Sequence, residues 1–338
     1  MTALPLLELK RITKRFRLRS ERGLRSAPFH HGELDMLAVD NVDLTIAAGE
    51  FVGLAGESGS GKSTLAKIAA GALAPDAGIR LWKGRDVATF AAADRRALRL
   101  AVQLVHQDAY SALSPRMRVE SIVGEAPRIH RLLRGMPARD YVASVMREAG
   151  LDPSLMSRHP HQLSGGQRSR VNIARAIAVR PELIIADEPI ASLDVTLQAQ
   201  ILALFASMRA ARSLGLLFIS HDLGAVERLC DTVGVMYLGR IIEMAPSSAL
   251  FASPHHPYTR QLLAARPRLR VGADAPAAEL GSEAAPSVEI ADGAASRPRQ
   301  GCAFYPRCPA RMERCRSDKP PLREIARGHR SACHLPPC

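Results

Sequence analysis

Phe51-Val52-Gly53-Leu54-Ala55-Gly56-Glu57-Ser58-Gly59-Ser60-Gly61-Lys62-Ser63-Thr64 is the stretch on which the fold hinges. Its first five residues read as a short buried strand, and Lys62 opens a run of helical period. The glycines between them let successive backbone N–H groups curl around phosphate oxygens, and the helix that follows points its positive N-terminal end at the same place. Lys62 is placed to reach the outer phosphates of a nucleotide, and the Ser63 hydroxyl to help hold Mg²⁺. A Gly-rich turn that binds nothing would not require all of these residues between a strand and a helix.

Outward from this loop the pattern is α/β. Short apolar or β-branched runs at residues 102–105, 183–186, 216–220 and 233–237 alternate with helical-period segments, which predicts a largely parallel buried sheet. Residues 6–9 and 37–46 read as edge strands on either side of a polar, basic insertion at about 19–35. From Gln107 to Gln162 the strand signal fades, and residues 138–149 read as amphipathic helix, so a helical subdomain is expected inside the core. Asp187-Glu188 closes the run at 183–186, and both carboxylates should emerge at the C-terminal edge of the sheet, where ligands of open α/β sheets bind. Asp187 suits Mg²⁺, and Glu188 is placed to orient or deprotonate an attacking water.

The 338 residues, 47% of them hydrophobic, suffice for one large domain and an appendage. No run of 18 apolar residues is present, and the opening MTALPLLELKR lacks the charged start and cleavage site of a signal peptide, so the chain is expected neither to be exported nor to insert itself into a membrane. The formal charge of +13 is spread along the chain with no basic run interleaved with aromatics, which fits an acidic lipid surface better than a nucleic-acid platform.

With these elements in place the chain resembles the ABC ATPases. Leu163-Ser164-Gly165-Gly166-Gln167 matches their signature motif and stands shortly before the strand ending in Asp187-Glu188. Gln107 resembles the Q-loop, Ser192-Leu193-Asp194 the D-loop, His221 the switch histidine and Phe16 the adenine-stacking aromatic. The resemblance implies a P-loop NTPase cassette with an inserted helical subdomain and antiparallel edge strands, bound to ATP and Mg²⁺. Nucleotide contacts would come from Phe16, Gly56, Ser58, Gly59, Ser60, Gly61, Lys62, Ser63, Thr64, Gln107, Ser164, Gly165, Gly166, Gln167 and Asp194. Metal contacts would come from Ser63, Gln107 and Asp187, and catalysis from Glu188, His221, Gln107 and Lys62. It further implies a head-to-tail dimer in which Ser164, Gly165 and Gly166 of one cassette cap the ATP held by Lys62 of the other.

A finer resemblance covers almost the whole chain and is to the ATP-binding subunits of oligopeptide and dipeptide permeases. It is carried by residues 107–117 (QDAYSALSPRM), 194–200 (DVTLQAQ), 236–240 (MYLGR) and 256–260 (HPYTR), with Ala109 and Ser114 where that family usually has Pro and Asn. It implies an importer subunit at the cytoplasmic face of a bacterial membrane. The implied partners are two transmembrane permease subunits, a paralogous ATP-binding subunit and, indirectly, an extracytoplasmic solute-binding protein, with no nucleic acid. Nickel and glutathione importers share this cassette type. A soluble ABC ATPase acting on nucleic acid or ribosomes is the rival from another class, and the single cassette without coiled-coil arms speaks against it.

The domains expected are a cassette at 1–270, with its helical subdomain at about 108–165, a flexible linker at 271–300 rich in Ala, Pro, Gly and Ser, and a Cys-rich region at 301–338. Cys302, Cys308, Cys315 and Cys333 are spaced C-x5-C-x6-C-x17-C, looser than zinc-finger pairs. The tail resembles the C-terminal segment of peptide-permease ATPases, in some of which four cysteines hold a [4Fe–4S] cluster. From the residues, a cluster, a zinc ion and unligated thiols all stay open. So short a tail could hardly fold alone. Cys230, in an apolar-periodic run, reads as a buried small hydrophobe.

Overall fold

The computed structural model describes residues 4–18, 34–106, 112–133, 135–191, 193–265 and 300–337. Twelve strands form two sheets: β1 Leu7–Leu18, β2 Leu34–Ile46, β3 Phe51–Ala55, β4 Ala77–Trp82, β5 Arg85–Asp86, β6 Val102–Val105, β7 Leu183–Asp187, β8 Gly215–Ile219, β9 Thr232–Tyr237, β10 Arg240–Pro246, β11 Arg323–Ala326 and β12 His329–Ser331. An eight-stranded sheet has the order β11-β12-β10-β9-β3-β8-β7-β6, and a four-stranded sheet the order β2-β1-β4-β5. β3 pairs in parallel with β8 and β9, and β7 with β6 and β8.

Every residue of β3, β7 and β8 is buried, which is why each reads as a continuous apolar run: a parallel strand covered on both faces has no polar side. The period of two survives in the destinations of the side chains. Phe51, Ile184, Ala186, Leu216 and Phe218 enter one core with the helical subdomain, while Val52, Leu54, Leu183, Ile185, Leu217 and Ile219 enter a second core facing the four-stranded sheet.

The helices among the described residues include α1 Lys62–Ala70, α2 Ala92–Ala101, α3 Val119–Ile129, α4 Ala138–Glu148, α5 Gly165–Ile177, α6 Val195–Arg212, α7 Leu223–Leu229, α8 Ser247–Ala252 and α9 Pro257–Ala264. α3 and α4 pack on each other and on α5 where the strand signal faded. The expected linker falls almost wholly on residues 266–299, and most of the basic insertion on 19–33, both outside the described residues.

β4, β10, β11 and β12 were not legible as strands. β4, between β1 and the two-residue β5, is exposed along half its length, so it lacks an apolar pattern. β10 carries Glu243 in its middle, fully buried, accepting the N–H groups of His255 at 2.7 Å and His256 at 2.9 Å and pairing with His329 Nε2 at 2.7 Å. A carboxylate so partnered is tolerated in a core but interrupts any sequence pattern. β11 and β12 are short and polar, and they extend the main sheet: β12 pairs with β10, and Ala332 N–H donates to Ile242 O at 2.7 Å. The Cys-rich tail is therefore docked on the core sheet. Phe304 is buried in the main core against Tyr237 and Tyr258, and Lys319 reaches Asp40 at 2.9 Å.

A candidate nucleotide site at the strand ends

β3, β8 and β7 lie side by side, so whatever follows their C-terminal ends emerges in one row: Gly56 after β3, His221 just beyond β8, and Asp187 with Glu188 at the end of β7. The loop after β3 is sterically committed to glycine. At Gly56 (φ +146°) a Cβ would come within 2.2 Å of Met236 O, and at Gly61 (φ +103°) within 2.2 Å of Ala38 O. Gly59 (φ +76°) faces open space, Ser58 is exposed, and Ser63 and Thr64 sit half-buried in the first turn of α1.

Lys62 is buried, and its ammonium donates to Gly56 O at 2.8 Å, Glu57 O at 2.7 Å and Ser60 Oγ at 3.2 Å. Burial pulls its pKa below the ordinary lysine range, while Glu188, Asp187 and Glu57 pull the other way. Three carboxylates thus favour the cationic form of Lys62 within the phosphate loop. Ser63 Oγ donates to Asp187 Oδ1 at 3.0 Å. Burial pushes the Asp187 carboxyl up, the Ser63 hydrogen bond draws it down, and Glu188 beside it adds to the upward push. A hydroxyl and a carboxylate at this spacing are the hard oxygen donors that Mg²⁺ takes when water and phosphate supply the rest.

Glu188 stands at φ +49°, a conformation strained for a residue with a Cβ, with its N–H donating to Ile219 O at 2.9 Å. Its Oε2 lies 3.4 Å from His221 Nδ1, and the histidine side chain is 59% exposed against 15% for the glutamate, so the pair spans from the protein wall to the solvent side.

Ser164 caps α5: its Oγ accepts the Gln167 N–H, and Gln167 Oε1 accepts the Ser164 N–H at 3.0 Å. The Gln167 side chain is thereby engaged in the cap. Gly166 is buried, with a Cβ position 2.6 Å from Leu197 Cδ1, whereas nothing lies within 4 Å of a Cβ at Gly165. Asp194 caps α6 through Leu197 N–H at 2.9 Å. Phe16 is half-buried on β1 opposite Met36, with the Lys14 ammonium 5.8 Å from its ring centroid.

Gln107 and Ser192 lie outside the described residues, but both flanks of the Gln107 segment are held by α5: Asn172 Nδ2 donates to His106 O at 3.2 Å and Arg175 Nη1 to Ala112 O at 2.6 Å. The signature helix is therefore fastened to His106 and Ala112, the residues on either side of that segment, which spacing alone did not reveal.

Cys302, Cys308, Cys315 and Cys333 line a single small cavity beside His256, Phe304 and His334. The described cysteines are all free, and burial raises the pKa of Cys302, Cys308 and Cys333, so these groups stand as neutral thiols. Among the described residues no group of three or more His, Cys, Asp or Glu side chains is arranged to hold a metal ion, so a zinc site finds no support. Cys230 is buried in the core as expected.

The glycine loop, the buried Lys62 and the Ser63–Asp187 contact define a P-loop nucleotide-binding cassette. Residues 39–191 match the family model of ABC transporters, and residues 242–315 that of the oligopeptide/dipeptide transporter C-terminal region. A probable peptide ABC transporter ATP-binding protein of Sinorhizobium fredii is 42% identical over 301 residues, covering 88% of this chain and 82% of that protein. An oligopeptide transport ATP-binding protein of Bacillus subtilis is 38% identical over 333 residues, covering 98% and 97%. Among solved structures, a bacterial ABC transporter cassette determined as a dimer aligns with a TM-score of 0.62 at 27% identity, covering 71% of this chain and 98% of that one. The chain belongs to the ATP-binding proteins of ABC transporters, in the branch that carries the oligopeptide/dipeptide transporter C-terminal region.

Motif reading missed three residues that reach this site: Glu57 as an anchored member of the loop, and Tyr258 and Arg307 as its anchors. The HPYTR segment that contains Tyr258 was noticed only as part of a resemblance.

Proposed function

We propose that the chain is the ATP-hydrolysing subunit of a peptide importer, working as half of a head-to-tail ATPase dimer. The Ser63–Asp187 contact next to the Glu188–His221 pair is the observation that carries this reading, because it puts metal-binding oxygens and a water-activating carboxylate at neighbouring strand ends. When bound, Mg²⁺ would neutralise charge on the transferred phosphoryl group. Lys62 leaves its carbonyl partners to meet the phosphates. Ser63 and Asp187 would hold the cation, and Glu188 accepts a proton from the attacking water, with His221 orienting it from the open side. Ser164 and the unobstructed Gly165 face outward at the start of α5, where a hydroxyl and free N–H groups can cap a phosphate bound by a second cassette. Gln107 and Asp194 would carry the closure signal.

Peptide cargo rests on the names of the relatives and on the C-terminal region shared with them. Two permease subunits and a paralogous cassette at the cytoplasmic membrane face complete the assembly, and no helix of the described residues is long and apolar enough to cross a membrane. Uptake of labelled di- and oligopeptides in cells carrying chromosomal Lys62→Ala tests this. Lost uptake is expected, and normal uptake with confirmed expression would overturn the peptide assignment.

For the cysteines the reading is a [4Fe–4S] cluster. What supports it is that four cysteines line one cavity, the number of thiolates such a cluster takes. Such a group would tie Cys302, Cys308, Cys315 and Cys333 together across the tail. Anaerobically purified protein should contain stoichiometric iron and sulfide; their absence would remove the cluster.

A further inference from the structure

We propose that Arg307 of the Cys-rich tail is a positioning residue for the nucleotide site, holding the Glu57 carboxylate of the phosphate loop and cancelling a negative charge that would otherwise face the phosphates. The inference rests on the reading of that loop as the ATP site.

All three polar parts of Glu57 are engaged, each by a different part of the chain. Its N–H donates to Tyr258 Oη at 2.9 Å, its carbonyl accepts Lys62 Nζ at 2.7 Å, and its carboxylate takes both arms of the Arg307 guanidinium, Nη1 at 3.0 Å and Nη2 at 2.9 Å. The fork is a bidentate, charge-assisted contact between residues 250 positions apart, so it forms only when the tail is docked. Arg307 is itself seated: its guanidinium carbon lies 5.9 Å from the Tyr237 ring centroid and 5.8 Å from that of Phe304, and these rings pack with Tyr258. The ion pair with Glu57 raises the Arg307 pKa further, so its charge is permanent.

The electrostatic consequence has a definite sign. Lys62 must give up the Glu57 carbonyl when it turns to phosphate, which leaves the loop residue held by the Ser60 N–H at 3.2 Å within the loop and, from outside it, by Tyr258 and Arg307. A bare Glu57 carboxylate there would repel a triphosphate, whereas the Glu57–Arg307 pair is neutral and keeps the loop in place. Because Arg307 precedes Cys308 directly and follows Cys302 by five positions, the tail reaches the phosphate loop from within the first cysteine interval.

The test is nucleotide titration of the full-length protein, comparing wild type, Arg307→Ala, Arg307→Lys, Glu57→Gln/Arg307→Ala and Lys62→Ala, with folding checked by circular dichroism. The side chains are 48% and 35% exposed, so solvent screens the pair and the effect is moderate. Arg307→Ala should raise the Kd for ATP roughly threefold to tenfold at low salt and less at 0.5 M salt, about the range expected for a half-exposed charge pair. Arg307→Lys should fall between wild type and Arg307→Ala, and Glu57→Gln/Arg307→Ala should regain most of the lost affinity. A merely structural role for Arg307 would leave the double variant as weak as the single one and its penalty independent of salt, and either result overturns the proposal. So does unchanged affinity in Arg307→Ala. Should Arg307→Ala not fold, the salt dependence of Arg307→Lys against wild type decides in the same way. Lys62→Ala binding ATP as wild type does would instead overturn the assignment of the nucleotide site itself.

Discussion

Glu188 is the residue whose setting says most about its work. The chain holds it at φ +49°, a strain of the kind that persists where the surroundings over-determine a conformation, and the Ile219 carbonyl and His221 fix it from two sides. Glu188→Gln keeps the shape and removes the base, so ATP should still bind while steady-state hydrolysis falls by about a hundredfold or more, and the closed dimer should accumulate in gel filtration with ATP. Unchanged hydrolysis would take Glu188 out of the mechanism. Lys62→Ala should act earlier, on affinity: the buried ammonium feels three carboxylates and donates to three oxygen acceptors in the phosphate loop. A titration that shows no loss of ATP binding would contradict this.

Two helix starts, those of α5 and α6, meet where cassettes are expected to join. Each is capped by a side chain, Ser164 and Asp194, that satisfies an N–H otherwise left unpaired. Their contact explains why the two adjacent glycines of the signature are not equivalent. A methyl group at Gly166 strikes the half-buried Leu197 side chain at the first turn of α6, which must turn aside, so Gly166→Ala should destabilise the protein by about 1 kcal/mol, measured by urea denaturation. A methyl at Gly165 meets nothing within the chain, so Gly165→Ala should unfold like wild type and yet lose ATP-dependent dimerisation. Equal stability losses at both positions would contradict the assignment of Gly165 to an outward, partner-facing surface. Asp194→Ala should cost about 1 kcal/mol through the lost cap, seen as a lowered denaturant midpoint at constant slope.

At the scale of the whole molecule, residues 300–337 complete the main sheet, insert Phe304 into the main core and supply His329 as one of the partners of Glu243. Removing them would expose an unpaired β10 edge and take the His329 partner from the buried Glu243 carboxylate, which keeps the His255 and His256 N–H groups, so a chain ending at residue 299 should melt roughly 10 °C lower or aggregate. A truncated chain with an unchanged midpoint would show the tail to be dispensable. The sequence by itself determined the class of this protein: the glycine loop between strand and helix, the buried runs that make parallel strands, Asp187-Glu188 and the order of the motifs were all legible, because local period, steric need for glycine and covalent spacing are written in the chain. Asn172 and Arg175 on the flanks of the Gln107 segment, Glu243 inside β10, the joining of a polar tail to the core sheet and the grip of Arg307 on Glu57 were decided only by the tertiary structure. Each depends on a polar group finding its partner across tens to hundreds of residues, and until that partner arrives such a residue is indistinguishable in sequence from one that faces water.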